Sequence, residues 1–82
     1  MRLDKFLKIS RLIKRRTVAN DACSGGRVHI NNKVAKAGTT LKIDDIVSIN
    51  YGNKKLIIKV LALKESVSKE QASALYEIIG EE

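Results

Sequence analysis

The sequence predicts a small α+β domain: two N-terminal helices packed on a small bent sheet of about four strands, followed by a C-terminal helix. Three observations carry this. Apolar residues recur at helical spacing near both ends of the 82-residue chain, they alternate with a period of two through its middle, and Gly or Asn pairs mark the changes. A chain of this length supports one core and buries roughly 60% of its unfolded surface.

The elements follow in order. Leu3, Phe6 and Leu7 form one apolar stripe on a first helix over residues 3–9, with Lys5 and Lys8 on its other sides. Leu12 and Ile13 interrupt the charged run and dock a bent connection on the core. Thr17 reads as the N-cap of a second helix, its hydroxyl placed to accept a backbone N–H two or three residues on. That helix carries the small residues Val18, Ala19, Ala22 and Cys23 and stops at Gly25-Gly26, where a positive φ costs little.

From Arg27 the period becomes two. Val28 and Ile30 share one face of a strand, and Arg27, His29 and Asn31 the other. Asn31-Asn32-Lys33 supplies a tight turn, because Asn tolerates the left-handed region, and a return strand over residues 34–37 follows. Residues 42–45 read as a turn. The next strand alternates Ile46, Ser48 and Asn50 against Val47, Ile49 and Tyr51, and a turn at residues 52–55 leads to the most apolar strand, "LIIKVLAL". Ser68 and Gln71 have capping-box spacing. Ala72, Leu75, Tyr76 and Ile79 then fit an amphipathic helix, so residues 1–66 are expected to form the domain proper and residues 67–82 a C-terminal helix and tail.

The net charge of +7 is unevenly placed. Residues 1–17 hold seven basic groups (Arg2, Lys5, Lys8, Arg11, Lys14, Arg15 and Arg16) against Asp4, whereas residues 43–82 carry five lysines against seven carboxylates. Crowding like charges in a small fold costs stability, so a polyanionic partner is implied: nucleic acid or an anionic membrane surface. No apolar run approaches the ~18 residues of a membrane span, and no apolar h-region follows the basic start. One cysteine fits a reducing interior. The expected compartment is the cytoplasm.

Catalysis has no visible home. His29, the single histidine, reads as a strand residue within reach of an RNA group at most, Cys23 as a packing residue, Asp44-Asp45 as a turn, and Tyr51 and Tyr76 as core or strand-end residues, Tyr51 with some chance of stacking on a base. Neither a metal-ligand cluster nor a phosphate-cradling glycine loop is present, so no cofactor is expected. The basic groups are better suited to phosphate. Arg11, Arg15 and Arg16 offer forks that hold a phosphate bidentately. Arg27, Asn31, Lys33 and Lys36 come from the hairpin, Thr39 and Thr40 follow, and all of these are expected to line one positive groove that reads a folded RNA by shape.

The run "RLDKFLKISRLIKRRTVANDACSGGRVHINNKVAKAGTTLKIDDIVSI" resembles the small RNA-binding domain named after ribosomal small-subunit protein four, over about residues 2–50. The shared pattern is L-D-x-x-L, a basic residue and T or S opening the next helix, G-x-V-x-I-N, then a turn before an apolar strand. Two departures stand out: Ile43-Asp44-Asp45 replaces the usual Pro-Gly-Asp, and Asn32 replaces a hairpin Gly. Most members attach this module to an enzyme domain. The opening residues, the stand-alone length and "EQASALYEII" are similar to the members that act in ribosome-associated quality control. A non-enzymatic factor is expected from the residues, and a monomer. By that resemblance its partners would be large-subunit rRNA, an obstructed peptidyl-tRNA and the elongation factor that adds alanine tails. The resemblance also implies that Arg2 and Arg16 contact RNA, with Lys5, Arg11, Lys14 and Arg15 around them. Three alternatives remain: a heat-shock-protein-fifteen-like recycling factor, an RNA-delivery subunit of a separate enzyme, and a membrane or duplex-DNA binder driven by charge alone.

Overall fold

The computed structural model describes residues 1–13, 21–51 and 54–81. Helix α1 spans Leu3–Ile9. Residues 21–24 are helical, and five strands follow: β1 (Val28–Ile30), β2 (Lys33–Val34), β3 (Ile46–Tyr51), β4 (Lys54–Val60) and β5 (Tyr76–Glu81). They form one antiparallel sheet in the order β2-β1-β3-β4-β5. The start of the second helix at Thr17, with Val18 and Ala19, and the Gly52-Asn53 part of the turn lie outside the described residues.

The α1 stripe is as the spacing predicts: Leu3, Phe6 and Leu7 are fully buried. They meet Val28, Val47, Ile49, Ile58 and Val60 from the core face of the sheet, with Ile13 and Cys23 completing the cluster. Burying each such aliphatic or aromatic side chain stabilises the fold by about 1.5–3 kcal/mol. The first-turn N–H groups of α1, which have no partner inside the helix, are all satisfied. Leu3 donates to the Thr39 carbonyl (2.9 Å), Asp4 to the Ala37 carbonyl (3.1 Å), and Lys5 to Oδ1 of Asp4 (2.8 Å). In return Leu41 donates to the Met1 carbonyl (2.8 Å), so the chain start is stitched to the connection between β2 and β3.

The turn chemistry is visible in the backbone. The 21–24 helix ends in a Schellman arrangement: Gly26, at φ 72°, donates to the Cys23 carbonyl and Arg27 to that of Ala22. Asn31 (φ 52°) and Asn32 (φ 69°) form the tight turn of the β1–β2 hairpin, and Asp44 sits at φ 75°. Both departures from the family pattern, Asn32 and Asp44, thus occupy left-handed positions. Asn and Asp visit that region more readily than other side chains, so the turns survive without glycine.

The C-terminal helix is a correction. Ser68 and Gln71 do form the capping box: Gln71 N–H donates to Ser68 Oγ (3.3 Å) and Ser68 N–H to Gln71 Oε1 (3.4 Å). The turn it starts is a 3-10 turn over Ala72–Leu75, with Ala72 and Leu75 buried, and it stops there. Tyr76, Ile78 and Ile79 are good strand formers. They pair with β4, Val60 opposite Tyr76 and Ile58 opposite Ile78, which satisfies an edge that a helix would have left open. Hence the sheet has five strands rather than four. β4 also ends at Val60, short of the predicted 63, because the Leu61 and Ala62 N–H groups both turn to the Leu75 carbonyl (2.8 and 3.3 Å).

Cys23 is buried, and burial, assisted by the nearby Asp4 carboxylate, pushes its thiol up to about 11 from 9.0. The folded state therefore prefers the protonated thiol. Stability from this preference is full below pH ~9, where the unfolded thiol is also protonated, and is lost as pH rises from about 9 towards 11. A thiol reagent at pH 8 should leave the native protein unmodified and label one cysteine once urea unfolds it. Rapid labelling of the native protein would contradict this packing.

Candidate nucleic-acid interface

Among the described residues, five of the seven cations expected to bind RNA divide between three concave surfaces, and Arg2 and Lys33 line none of these. Lys5 and Lys8 from α1, and Arg11 just beyond its C-cap, line a groove closed on its far side by Glu65, Ser66 and Val67. Arg27 lines a second concavity with Leu12, Ile13 and Asn50, and Lys36 a third beside Ser24, Ala37 and Gly38. Lys33 stands exposed on β2. Lys14, Arg15, Arg16 and Thr17 lie outside the described residues.

Arg2 has an internal duty. Asp4 is 1% exposed, and a carboxylate this buried needs a partner. Arg2 supplies it as a fork, Nε to Oδ1 at 3.1 Å and Nη2 to Oδ2 at 3.2 Å. Residues two apart do not face each other along a helix. The fork closes because Arg2 is the N-cap in extended conformation (φ −69°, ψ 144°), which folds its side chain back over the first turn. Its side chain remains 53% exposed. A guanidinium carries five N–H donors; two are used, so three are left on a group whose orientation is already fixed.

Arg11, the residue after the Ser10 C-cap of α1, sits at φ 62°, a conformation that costs a non-glycine residue roughly 1–2 kcal/mol. Its N–H closes the helix on the Lys8 carbonyl (3.0 Å), and Ile13 bonds back to Leu7 (3.0 Å), which returns the chain to the core and leaves the Arg11 side chain exposed. Neither Lys8 nor Arg11 is ion-paired among the described residues. The sequence did not signal that Lys5 is: its ammonium meets the Glu65 carboxylate, sixty positions away. The Lys5 hydrogen bond and charge hold the Glu65 carboxyl below its usual range.

Asn31 is also partly committed. Its Nδ2 donates to Asp45 Oδ1 (3.1 Å) and its Oδ1 accepts the Ile46 N–H (3.0 Å), pinning the hairpin to the start of β3. Asp45 Oδ2 accepts the Lys42 N–H (2.9 Å) and Asp44 pairs with Lys59 (3.7 Å), as turn residues do. Thr39 Oγ1 accepts the Lys36 N–H (2.9 Å), and Thr40 is exposed. His29 is half-buried on the sheet face away from the core, opposite Ser48. No group of three or more His, Cys, Asp or Glu among the described residues is placed to hold a metal ion.

Comparison with known proteins finds relationships of three kinds. Residues 1–47 match the S4 domain family. The chain is 54% identical, over 99% of its length and 92% of the relative's, to a protein of Streptococcus pneumoniae named RQC P-site tRNA stabilizing factor. A protein of the same name from Halalkalibacterium halodurans is 54% identical over 100% of this chain and 93% of its own. Among solved structures, the trimeric heat shock protein 15 of Vibrio cholerae superposes with a TM-score of 0.88 at 28% identity, covering 95% of this chain and 80% of that one.

Proposed function

Because this chain belongs to the S4 domain family and aligns end to end with RQC P-site tRNA stabilizing factors, we propose that it binds the large ribosomal subunit and steadies an obstructed peptidyl-tRNA during ribosome-associated quality control. The observation that carries this reading is the 54% identity over an alignment that covers 99% of the chain and so extends beyond the 1–47 match to the RNA-binding module. A general RNA-binding role would rest on the module alone.

The work is positional and needs no covalent chemistry. One basic surface engages rRNA while another reaches the tRNA backbone, and each contact raises the effective concentration of the other. Arg2, already oriented by Asp4 with three donors to spare, and Arg16 are the residues assigned to this bridge. Lys5, Lys8, Arg11, Lys14, Arg15 and Thr17 are assigned to the same RNA-binding set, with Arg27, Asn31, Lys33 and Lys36 added from around the hairpin. The protein acts in the cytoplasm as a monomer alongside the elongation factor that adds alanine tails.

Arg16→Ala should weaken association with large subunits far more than Lys69→Ala, although each removes one positive charge. Circular dichroism of both variants should match the wild type, so that the difference in binding is read on an intact fold. In cells lacking this protein, mass spectrometry of a stop-codon-less reporter should find alanine tails lost, and Arg16→Ala should behave nearly as the deletion. Tails of normal length and abundance would overturn the quality-control role.

A further inference from the structure

Five described residues have a positive φ, and four of them are types that the left-handed region suits: Gly26, Asn31, Asn32 and Asp44. Arg11 is the exception. It stands behind α1 where Gly26 stands behind the 21–24 helix. In each case the N–H closes the helix on the carbonyl three residues back, Lys8 for Arg11 (3.0 Å) and Cys23 for Gly26 (3.1 Å). Glycine is the usual residue at such a position, because it has no Cβ to strain. The fold itself does not call for a long side chain here. Arg11 is exposed and has no ion-pair partner among the described residues. Its side chain lines the groove with Lys5 and Lys8.

Resting on the RNA-binding reading above, we propose that Arg11 is the anchoring cation of this groove: a strained turn presents its guanidinium to an RNA phosphate from a fixed backbone, and the fold is less stable for it. Left-handed strain in a non-glycine residue that the packing does not explain is a pointer to function. Two bonds hold the backbone in place, the Arg11 N–H to the Lys8 carbonyl and, just beyond, the Ile13 N–H to that of Leu7 (3.0 Å). A side chain launched from a fixed backbone loses less freedom on binding than one on a loose tail. Lys5 already meets the Glu65 carboxylate. Of the two remaining cations in the groove, Lys8 and Arg11, only the arginine offers a planar fork that holds two phosphate oxygens at once.

Arg11→Gly should relieve the strain and remove the contact together. The melting temperature rises by about 3–8 °C, while affinity for purified large ribosomal subunits falls by about tenfold or more. The slope of log K against log salt should shrink by one phosphate contact, roughly 0.7–0.9. Gly26→Ala measures the strain alone, since a Cβ there meets nothing within 4 Å and only the backbone at φ 72° resists it. It should lower the melting temperature by a similar amount. Arg11→Lys keeps both the charge and the strain, so it should melt with the wild type and bind several-fold more weakly. An Arg11→Gly protein that binds as the wild type does, or that melts no higher, would overturn the proposal. The same variants on an RNA hairpin separate the two readings. If the wild type binds the hairpin but not large subunits, the quality-control role is lost, and the hairpin affinity of Arg11→Gly decides the anchor. If it binds neither, both fall.

Discussion

Phe6→Ala is expected to lower the melting temperature by some 15–30 °C and to leave much of the protein unfolded at 37 °C. Phe6 is the largest fully buried side chain among the described residues and lies in the α1 stripe over the sheet. Truncating a buried Phe costs about 3–5 kcal/mol, the lost transfer energy plus the cavity left behind. A chain of 82 residues holds only about 4–12 kcal/mol at roughly 0.05–0.15 kcal/mol per residue. In a domain of this size each kcal/mol moves the midpoint by about 4–8 °C. Ile79→Ala is the comparison, because Ile79 is 50% exposed on β5 and its loss should shift the midpoint far less. Thermal unfolding followed by circular dichroism separates the two. Similar shifts for both would contradict the placement of α1 on the core.

Binding to large subunits should fall by about 100- to 500-fold between 50 and 200 mM salt. Each phosphate neutralised by Lys or Arg contributes roughly 0.7–0.9 to the slope of log K against log salt. About five contacts from the basic half give a slope near −4, and a fourfold rise in salt then removes a little over two orders of magnitude. A flat response would rule out phosphate contact as the source of affinity.

Much of the fold was legible because its signals are local. The 3-4 spacing of Leu3, Phe6 and Leu7 placed α1, the alternation around Val28 and Ile30 placed β1, and Asn31-Asn32 placed the hairpin turn. The C-terminal strand was not legible, and the reason is instructive. Ala72, Leu75, Tyr76 and Ile79 satisfy helical spacing, and the capping box that should begin such a helix is real. What decides the conformation after Leu75 is the open edge of β4, a partner 16 to 25 residues back (Val60 opposite Tyr76, Leu56 opposite Glu81) that no local period encodes.

The site divides in the same way. Charge counting located the basic half, and the resemblance named Arg2 and Arg16. The commitment of the Arg2 side chain came only from the fold. Helical spacing would keep Arg2 and Asp4 apart, and it took the extended N-cap to bring them together. The Lys5–Glu65 pair spans sixty residues and leaves no trace in the local pattern. Asn31, read as a contact for RNA, spends both ends of its amide on Asp45 and Ile46.

The stitching of the chain start to residues 37–41 also sets an order in time. Leu3 and Asp4 donate to carbonyls of Thr39 and Ala37, and Met1 accepts from Leu41, so these partners are made after the helix that needs them. At roughly 5–20 residues per second, they follow α1 out of the translating ribosome by about 2–7 s. A helix of seven residues does not persist alone in water. During that interval the most basic part of the chain is a loose tail beside the RNA of the ribosome that is making it, with Arg2 not yet turned onto a buried Asp4. Closing those three backbone bonds converts a tail that clings to any RNA into a surface that meets one in a fixed orientation.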